Sequence, residues 1–300
     1  MKLLLQLFLV VVFTIQISSC EKDFVVKEQE HSKRMTVNCA FNNYQTFFVY
    51  VTQSSSVSGN TSLLPIADAL VELFENDSLI EILSYIPTDT ANTFGSYQSH
   101  IYPSPENKYS LKITHPLYGV VNAEDVMVTV PVVNSFELKS YGTFTTENLV
   151  KFNMQLKDDA ATEDFYRINI WQWGTQHILV DSIWQNVEFS SSAKPELITP
   201  LNDTVRDNGY FLLFSDKNFN GTNKDIQLQF RGVDSSFAEH ETVTVELVHI
   251  SKAHYEYYRT LELYQHAGYG AEPVHVYNNI NNGYGIFMSS AINSMTVQVK

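Results

Sequence analysis

Cysteine is nearly missing from this chain: Cys20 and Cys39 are the only two among 300 residues. A disulfide-stapled framework is therefore excluded, and if Cys20 is taken by lipid, as argued below, Cys39 has no partner. Basic charge is also short, with 19 Lys and Arg against 33 Asp and Glu and a net charge of −14. Phosphate binding needs clustered cations, and these are scattered, so nucleic acid is excluded as a partner. Long apolar runs are limited to residues 3–17, several short of the about 20 that span a bilayer. Catalytic signatures are missing as well. There is no G-x-S-x-G elbow, and Gly283-Tyr284-Gly285 lacks the third glycine and the following helix of a phosphate loop. The nine histidines show no short-spaced set that could converge on zinc. No cofactor is called for.

What is present begins at the N-terminus. Lys2, the apolar run 3–17 and the small residues Ser18 and Ser19 make a signal peptide over residues 1–19. The cut leaves Cys20 first, and Ile17-Ser18-Ser19-Cys20 resembles the bacterial lipobox, whose cysteine carries lipid. Cys20 is then a membrane anchor. Glu21-Lys22-Asp23-Phe24 resembles the short acidic signals that send Bacteroidetes lipoproteins to the outer face of the outer membrane. Two competing readings are a permanent transmembrane helix, for which the run is short, and an ordinary secreted glycoprotein. The second draws on acceptor triplets at Asn60, Asn76, Asn202 and Asn220, all in polar, turn-like stretches.

An apolar share of 44% with 17% charged residues is that of a folded globular protein. Residues 20–34 lack apolar periodicity and read as a tether. Period-two patterns then dominate: Met35/Val37/Cys39/Phe41, Phe47/Val49/Val51, Ala69/Val71/Leu73, Tyr109/Leu111/Ile113 and Val126/Val128/Val130. They resume with Phe152/Met154/Leu156, Tyr166/Ile168/Ile170, Ile178/Val180, Ile226/Leu228/Phe230 and Val243/Val245/Leu247. The expected fold is all-β and mainly antiparallel, with two consecutive β-sandwich domains joined near residues 131–136. The first, residues 35–131, is immunoglobulin-like or transthyretin-like. The second, residues 132–300, carries one helix over residues 251–266. Ser251 caps that helix, Ala253, Tyr257, Leu261 and Tyr264 share a face, Lys252 and Glu256 form an i,i+4 pair, and Gly268 suits the end. Cys39 shares parity with Met35, Val37 and Phe41, and so reads as a buried small hydrophobe.

Several stretches together resemble the Bacteroidetes outer-membrane lipoprotein family known only as domain of unknown function 4249. The carriers include Cys20-Glu21-Lys22-Asp23, Ala67-Asp68-Ala69-Leu70-Val71-Glu72-Leu73 and Lys108-Tyr109-Ser110-Leu111-Lys112-Ile113. Further along they include Asp164-Phe165-Tyr166-Arg167-Ile168, Phe214-Ser215-Asp216-Lys217-Asn218-Phe219-Asn220-Gly221, Tyr255-Glu256-Tyr257-Tyr258-Arg259 and residues 278–287. The resemblance implies an outer-membrane lipoprotein, typically encoded near a TonB-dependent β-barrel transporter, with no established enzymatic activity. It supplies no catalytic residues. A non-enzymatic binding or accessory subunit is the leading expectation, and a surface hydrolase acting on glycan or peptide is the alternative.

Few constellations carry chemistry. Asp216-Lys217-Asn218-Phe219-Asn220-Gly221 matches the front of an EF-hand calcium loop, in which Asp216, Asn218 and Asn220 would supply alternate ligands. The twelfth position is Gln227 rather than Glu, which favours a structural turn and leaves calcium a weak candidate. His249 shares parity with Val243, Val245 and Leu247, and reads as a hydrogen-bonded interior histidine. Trp171 and Trp173 share one strand face and Ile168 and Ile170 the other, so one set covers the core and the opposite set is either exposed, where Trp faces suit sugar or protein, or packed under the helix. Gly283, Tyr284 and Gly285 lie in an Asn- and Gly-dense segment expected to be ordered, either steering the last strand or facing a partner. Replacing Cys20 with Ser is expected to abolish lipid labelling and release the protein from membranes; labelling that survives contradicts the anchor.

Overall fold

Alternation of apolar and polar residues, read strand by strand, becomes a nearly all-β chain in the computed structural model. It describes residues 32–56, 63–88, 94–141, 149–201, 204–207, 210–232, 238–267, 272 and 274–299. Residues 1–19 and the site residues Cys20, Glu21, Lys22, Asp23 and Phe24 lie outside them. The first strands are β1 (Met35–Asn42), β2 (Phe48–Gln53), β3 (Leu64–Pro65), β4 (Leu70–Glu75), β5 (Ser78–Ile86), β6 (Ser96–Gln98), β7 (Lys108–His115) and β8 (Gly119–Val126). There follow β9 (Val132–Tyr141), β10 (Leu149–Lys157), β11 (Phe165–Val180), β12 (Ile183–Ala193), β13 (Glu196–Leu197), β14 (Val205–Asp207), β15 (Phe211–Ser215), β16 (Asn223–Arg231) and β17 (Ala238–Ile250). The helix α1 (Lys252–His266) and β18 (Tyr284–Gln298) complete the series.

Two sheets hold these strands. The larger runs β14-β15-β11-β17-β18-β1-β2-β6-β5-β4-β7-β8, with β12 pairing β11 and β3 pairing β2; the smaller runs β13-β16-β10-β9. Pairing is antiparallel except between β1 and β18. The all-β, mainly antiparallel expectation holds.

Two cores sit along the larger sheet. The first gathers Met35, Val37, Cys39 and Phe41 of β1 with Val71, Leu73, Tyr109, Leu111 and Ile113. Its centre is aromatic: Phe41 lies 4.8 Å from both Phe47 and Phe287, ring centre to ring centre. In the second core the smaller sheet lays Phe152, Met154, Leu228 and Phe230 against Ile168, Ile170, Val245 and Leu247. Phe136, Phe152 and Phe230 stack in a row at 5.0 and 5.8 Å. Each buried aliphatic or aromatic side chain contributes about 1.5–3 kcal/mol.

The last strand spans both cores. β18 pairs with β1 in parallel from Thr36↔Tyr284 to Asn42↔Ser290, and with β17 in antiparallel from Ile250↔Ser290 to Thr242↔Gln298. Ser290 is where the pairing changes hands. Beyond the end of β1, the Asn43 amide accepts from Ile292 N at 2.8 Å and donates to Ile292 O at 3.3 Å. Before β17 begins to pair, Asn279 does the same for Phe287, at 2.9 and 2.7 Å. Two asparagine side chains thus complete the backbone hydrogen bonding where β18 has a neighbouring strand on one side only.

Several expectations are corrected here. A boundary at 131/132 assigns all of β18 to the second half, yet Ile280, Phe287 and Ala291 pack in the first core. Residues Lys33–Lys300 form one compact unit. A strand expected through Val126, Val128 and Val130 ends at Val126. Met127 turns fully inward instead, held by Met127 N to Asn107 O and Glu106 N to Met127 O. Tyr166 and Val180 belong to one strand of 16 residues, because no turn interrupts it.

The helix starts where expected, Ser251 Oγ accepting from His254 N at 3.2 Å. Its buried residues are Ala253, His254 and Tyr255, while Tyr264 is exposed. Lys252 reaches Glu163 at 3.7 Å and Glu256 pairs with Arg259 at 2.7 Å, so the expected Lys252–Glu256 pair does not form. Gly268 lies outside the described residues. Among the described residues no helix is long and apolar enough to cross a membrane.

Two tests follow from β18. Gly285 has φ +110°, and a Cβ there would stand 2.0 Å from Val37 O, whereas Gly119 has φ +78° with open space around it. Gly285→Ala is expected to cost more than about 3 kcal/mol and Gly119→Ala only about 1–2 kcal/mol by chemical denaturation. Equal costs would remove the close approach from the explanation.

The second concerns Asp125, whose carboxylate accepts from Ser289 N at 2.7 Å beneath α1. Burial pushes this carboxyl up to about 6, with hydrogen bonds from Ser251, Ser289 and Val126 partly offsetting it. Its folded value exceeds the unfolded one, so its contribution is full below the unfolded value and is lost as pH rises through about 6. Wild type should therefore lose stability relative to Asp125→Asn between pH 4 and 7, by up to about 3 kcal/mol. A difference independent of pH would contradict this.

Candidate functional site

Strand β11 carries the sequence-predicted tryptophans, and its two faces have different fates. Ile168 and Ile170 are fully buried in the second core, which turns Trp171 and Trp173 outward at 44% and 50% exposure. The lower part of their face is covered by α1. Phe165 stacks on Tyr255 at 4.6 Å, and Arg167 Nη1 lies 3.3 Å from His254 Nε2. The cover stops there, and Trp171 is held at its edge by Nε1 donating to Glu246 Oε2 at 3.0 Å.

Above the helix the strand continues into a hairpin. Asp181 and Ser182 form its two-residue turn, both at positive φ (50° and 68°), the combination that matches strand twist in tight hairpins. Opposite Trp171 and Trp173 stand Ser192 and Ser190 on one side and Thr244 and Thr242 on the other. Small hydroxyl side chains leave the indole faces open. Toward the tip Leu179 opposes Trp184, both more than half exposed, and His177 stacks on Trp184 at 5.0 Å and 4°. Ile183 is exposed beside them. Trp184 was not singled out by parity with Trp171; the hairpin register brings it to the same face.

The Asn- and Gly-dense segment is ordered, with Ile280 and Gly283 buried and Asn278, Asn281, Asn282 and Tyr284 exposed. Ile280 N donates to Asn278 Oδ1 at 2.9 Å, Asn278 Nδ2 to Gly283 O at 3.1 Å, and Asn281 N to Asn122 O at 2.8 Å. Gly283 is buried, and a Cβ there would meet Met35 O at 2.8 Å. Of the three residues proposed for contact, only Tyr284 offers side-chain surface, with the Arg34 guanidinium 5.6 Å above its ring.

The calcium candidate is rearranged. Asp216 is fully buried, but its companions are Asp158 and Asp164, each offering an oxygen within 4.8 Å of the others. Asn218 and Asn220 are exposed, and Asn220 Nδ2 donates to Thr162 O at 2.9 Å. The three carboxylates come from two turns. The turn between β10 and β11 supplies Asp158 and Asp164, and the turn between β15 and β16 supplies Asp216. The turns are tied by Gly221 N to Asp158 Oδ2 at 2.8 Å and Asp216 N to Asp164 O at 3.0 Å. Gly221 is needed for this approach: at φ +75° a Cβ would lie 2.6 Å from Ala160 Cβ.

The partners of the three differ. Asp158 accepts from Tyr166 Oη at 2.8 Å, and Asp164 from Thr162 Oγ1 at 3.0 Å, with His249 Nε2 at 3.3 Å. Neither Asp216 oxygen has a hydrogen-bond partner among the described residues. Burial pushes Asp216 up to about 6, helped by the charges of Asp158, Asp164 and Glu163 and only partly offset by the Asp164 backbone. Burial also raises Asp158 despite Gly221 and Tyr166, whereas in Asp164 burial is outweighed by His249, Thr162 and Tyr166 together, which hold the carboxyl below its usual range. Two unit charges about 4.8 Å apart repel by about 3.5 kcal/mol at an effective dielectric constant of about 20. Sequence inspection missed this set because its members are up to 58 residues apart, Asp158 to Asp216; the one local signal was the Asp-x-Asn-x-Asn-Gly run.

His249 also takes its place as an interior hydrogen-bonded residue, Nδ1 lying 2.9 Å from Thr129 O. Cys39 is a buried free cysteine whose thiol burial pushes well up, so it is a packing residue.

Comparison with known proteins places these features in context. The family model described as Domain of unknown function (DUF4249) matches residues 21–296. No curated protein is significantly similar in sequence. Among solved structures the chain is similar to a "Biofilm associated protein - BSP domain" at 5% identity and a TM-score of 0.20. That alignment covers 90% of this chain and 61% of the other, so this chain spans less than two thirds of that neighbour's length.

Proposed function

This chain belongs to the DUF4249 family, and on that premise we propose that it is a non-enzymatic outer-membrane lipoprotein. In this reading Cys20 carries the lipid anchor, residues 21–24 direct the protein to the cell surface, and the folded part binds beside a TonB-dependent β-barrel transporter. One observation carries the binding role: the face of the β11 and β12 hairpin turned away from Ile168 and Ile170 presents Trp171, Trp173, Leu179 and Trp184 to solvent, with Ile183 exposed at the tip. Protein interfaces concentrate aromatic anchors whose rings bury on contact, and tryptophan is the residue most often found to dominate them. A sheet face with three half-exposed indoles, two of them set among serine and threonine, fits that chemistry. The net charge of −14 and the scattered cations favour a protein partner over anionic lipid headgroups.

Gentle detergent extraction and pull-down of the lipidated protein should recover a β-barrel partner. Replacing Trp171, Trp173 and Trp184 together with Ser should reduce that recovery at least about tenfold, as expected for loss of interface anchors, with the melting transition nearly unchanged. Recovery of no barrel under conditions that preserve a control complex, or undiminished recovery by the triple variant, would count against the reading.

A further inference from the structure

We infer that Asp158, Asp164 and Asp216 bind one Ca2+ ion, which fastens the turn between β10 and β11 to the turn between β15 and β16. This site stands apart from the tryptophan hairpin and does not depend on the partner proposed for it. Three carboxylate oxygens already converge within 4.8 Å, and every candidate ligand atom is oxygen, the donor that hard cations select. The independent pointer to a ligand is Asp216. Its side chain is fully buried, it belongs to the convergent set, and both its oxygens lack a hydrogen-bond partner among the described residues.

The surroundings are built to hold the other two carboxylates in place. Tyr166 and Gly221 each donate to one oxygen of Asp158, at 2.8 Å in both cases. Thr162 and His249 orient Asp164, and His249 is itself positioned by Thr129 O at 2.9 Å. Such outer contacts are what fix ligating carboxylates in metal sites. Three carboxylates exceed the one or two that Mg2+ usually takes while keeping its waters, and Ca2+ accepts six to eight oxygens in flexible geometry. Backbone carbonyls and water would complete the set.

The test uses the mature protein, residues 20–300, stripped with EDTA and titrated with CaCl2 by calorimetry, with melting followed in parallel. One site is expected, with a rise in melting temperature on adding Ca2+. Asp216→Asn should bind at least about tenfold more weakly and show no such rise, while melting higher than the stripped wild type because a buried charge has gone. Terbium luminescence excited through Tyr166 in the wild type, displaced by Ca2+, gives a reading that does not depend on the variant folding. No heat, no melting shift and no terbium signal up to about 10 mM, above the usual range of extracellular calcium modules, overturns the proposal. An undiminished response in Asp216→Asn, or an equal response to Mg2+, overturns it too.

Discussion

The parallel pairing of β1 with β18 is the constraint on which the rest of the molecule depends. It requires Gly285, because any side chain there would strike Val37 O. Once that approach is made, the first half of β18 completes the first core through Phe287 and Ala291, and the second half carries the large sheet on to β17. Ser289 adds a polar tie, donating from its backbone to Asp125 and from its hydroxyl to Val126 O at 2.6 Å. Its carbonyl faces His254 Nδ1 at 3.2 Å, so the helix is seated on the same point. Burial and the nearby Arg167 charge push His254 down to about 3, which keeps it neutral where α1 meets the sheet.

With the sheet made continuous, the placing of the exposed hairpin follows. β17 supports β11 along most of its length, and β11 then runs beyond the smaller sheet into the turn at Asp181 and Ser182. The helix covers Phe165 and Arg167 but not Trp171 or Trp173. The aromatic face, Trp171 and Trp173 of β11 with Trp184 of β12, is therefore the part of the hairpin that neither the opposing sheet nor the helix covers.

Much of this was legible in the residues. Met35, Val37, Cys39 and Phe41 gave β1 its burial alternation directly, and Phe152, Met154 and Leu156 did the same for β10. Ser251 marked the start of the helix because its side chain can satisfy a free backbone N–H. Parity alone separated Trp171 and Trp173 from Ile168 and Ile170, but it could not say which pair faces out, since both sets are apolar. The return of β18 to β1 was not legible, because the pairing joins residues about 250 apart and local pattern carries no record of such contacts. The same limit hid the meeting of Asp158 and Asp164 with Asp216. Within 278–287 the asparagine density announced an ordered segment, yet not that Asn279 would serve Phe287 as a substitute strand.

The central claim is that β18 makes the two cores one cooperative structure. Native-state hydrogen exchange of the protein under increasing denaturant tests it most directly, by comparing amides of β1 with those of β10 and β16. The account predicts that the slowest amides of both cores converge on one opening free energy with one denaturant slope. Two distinct limits, with β10 and β16 opening while β1 stays protected, would contradict it.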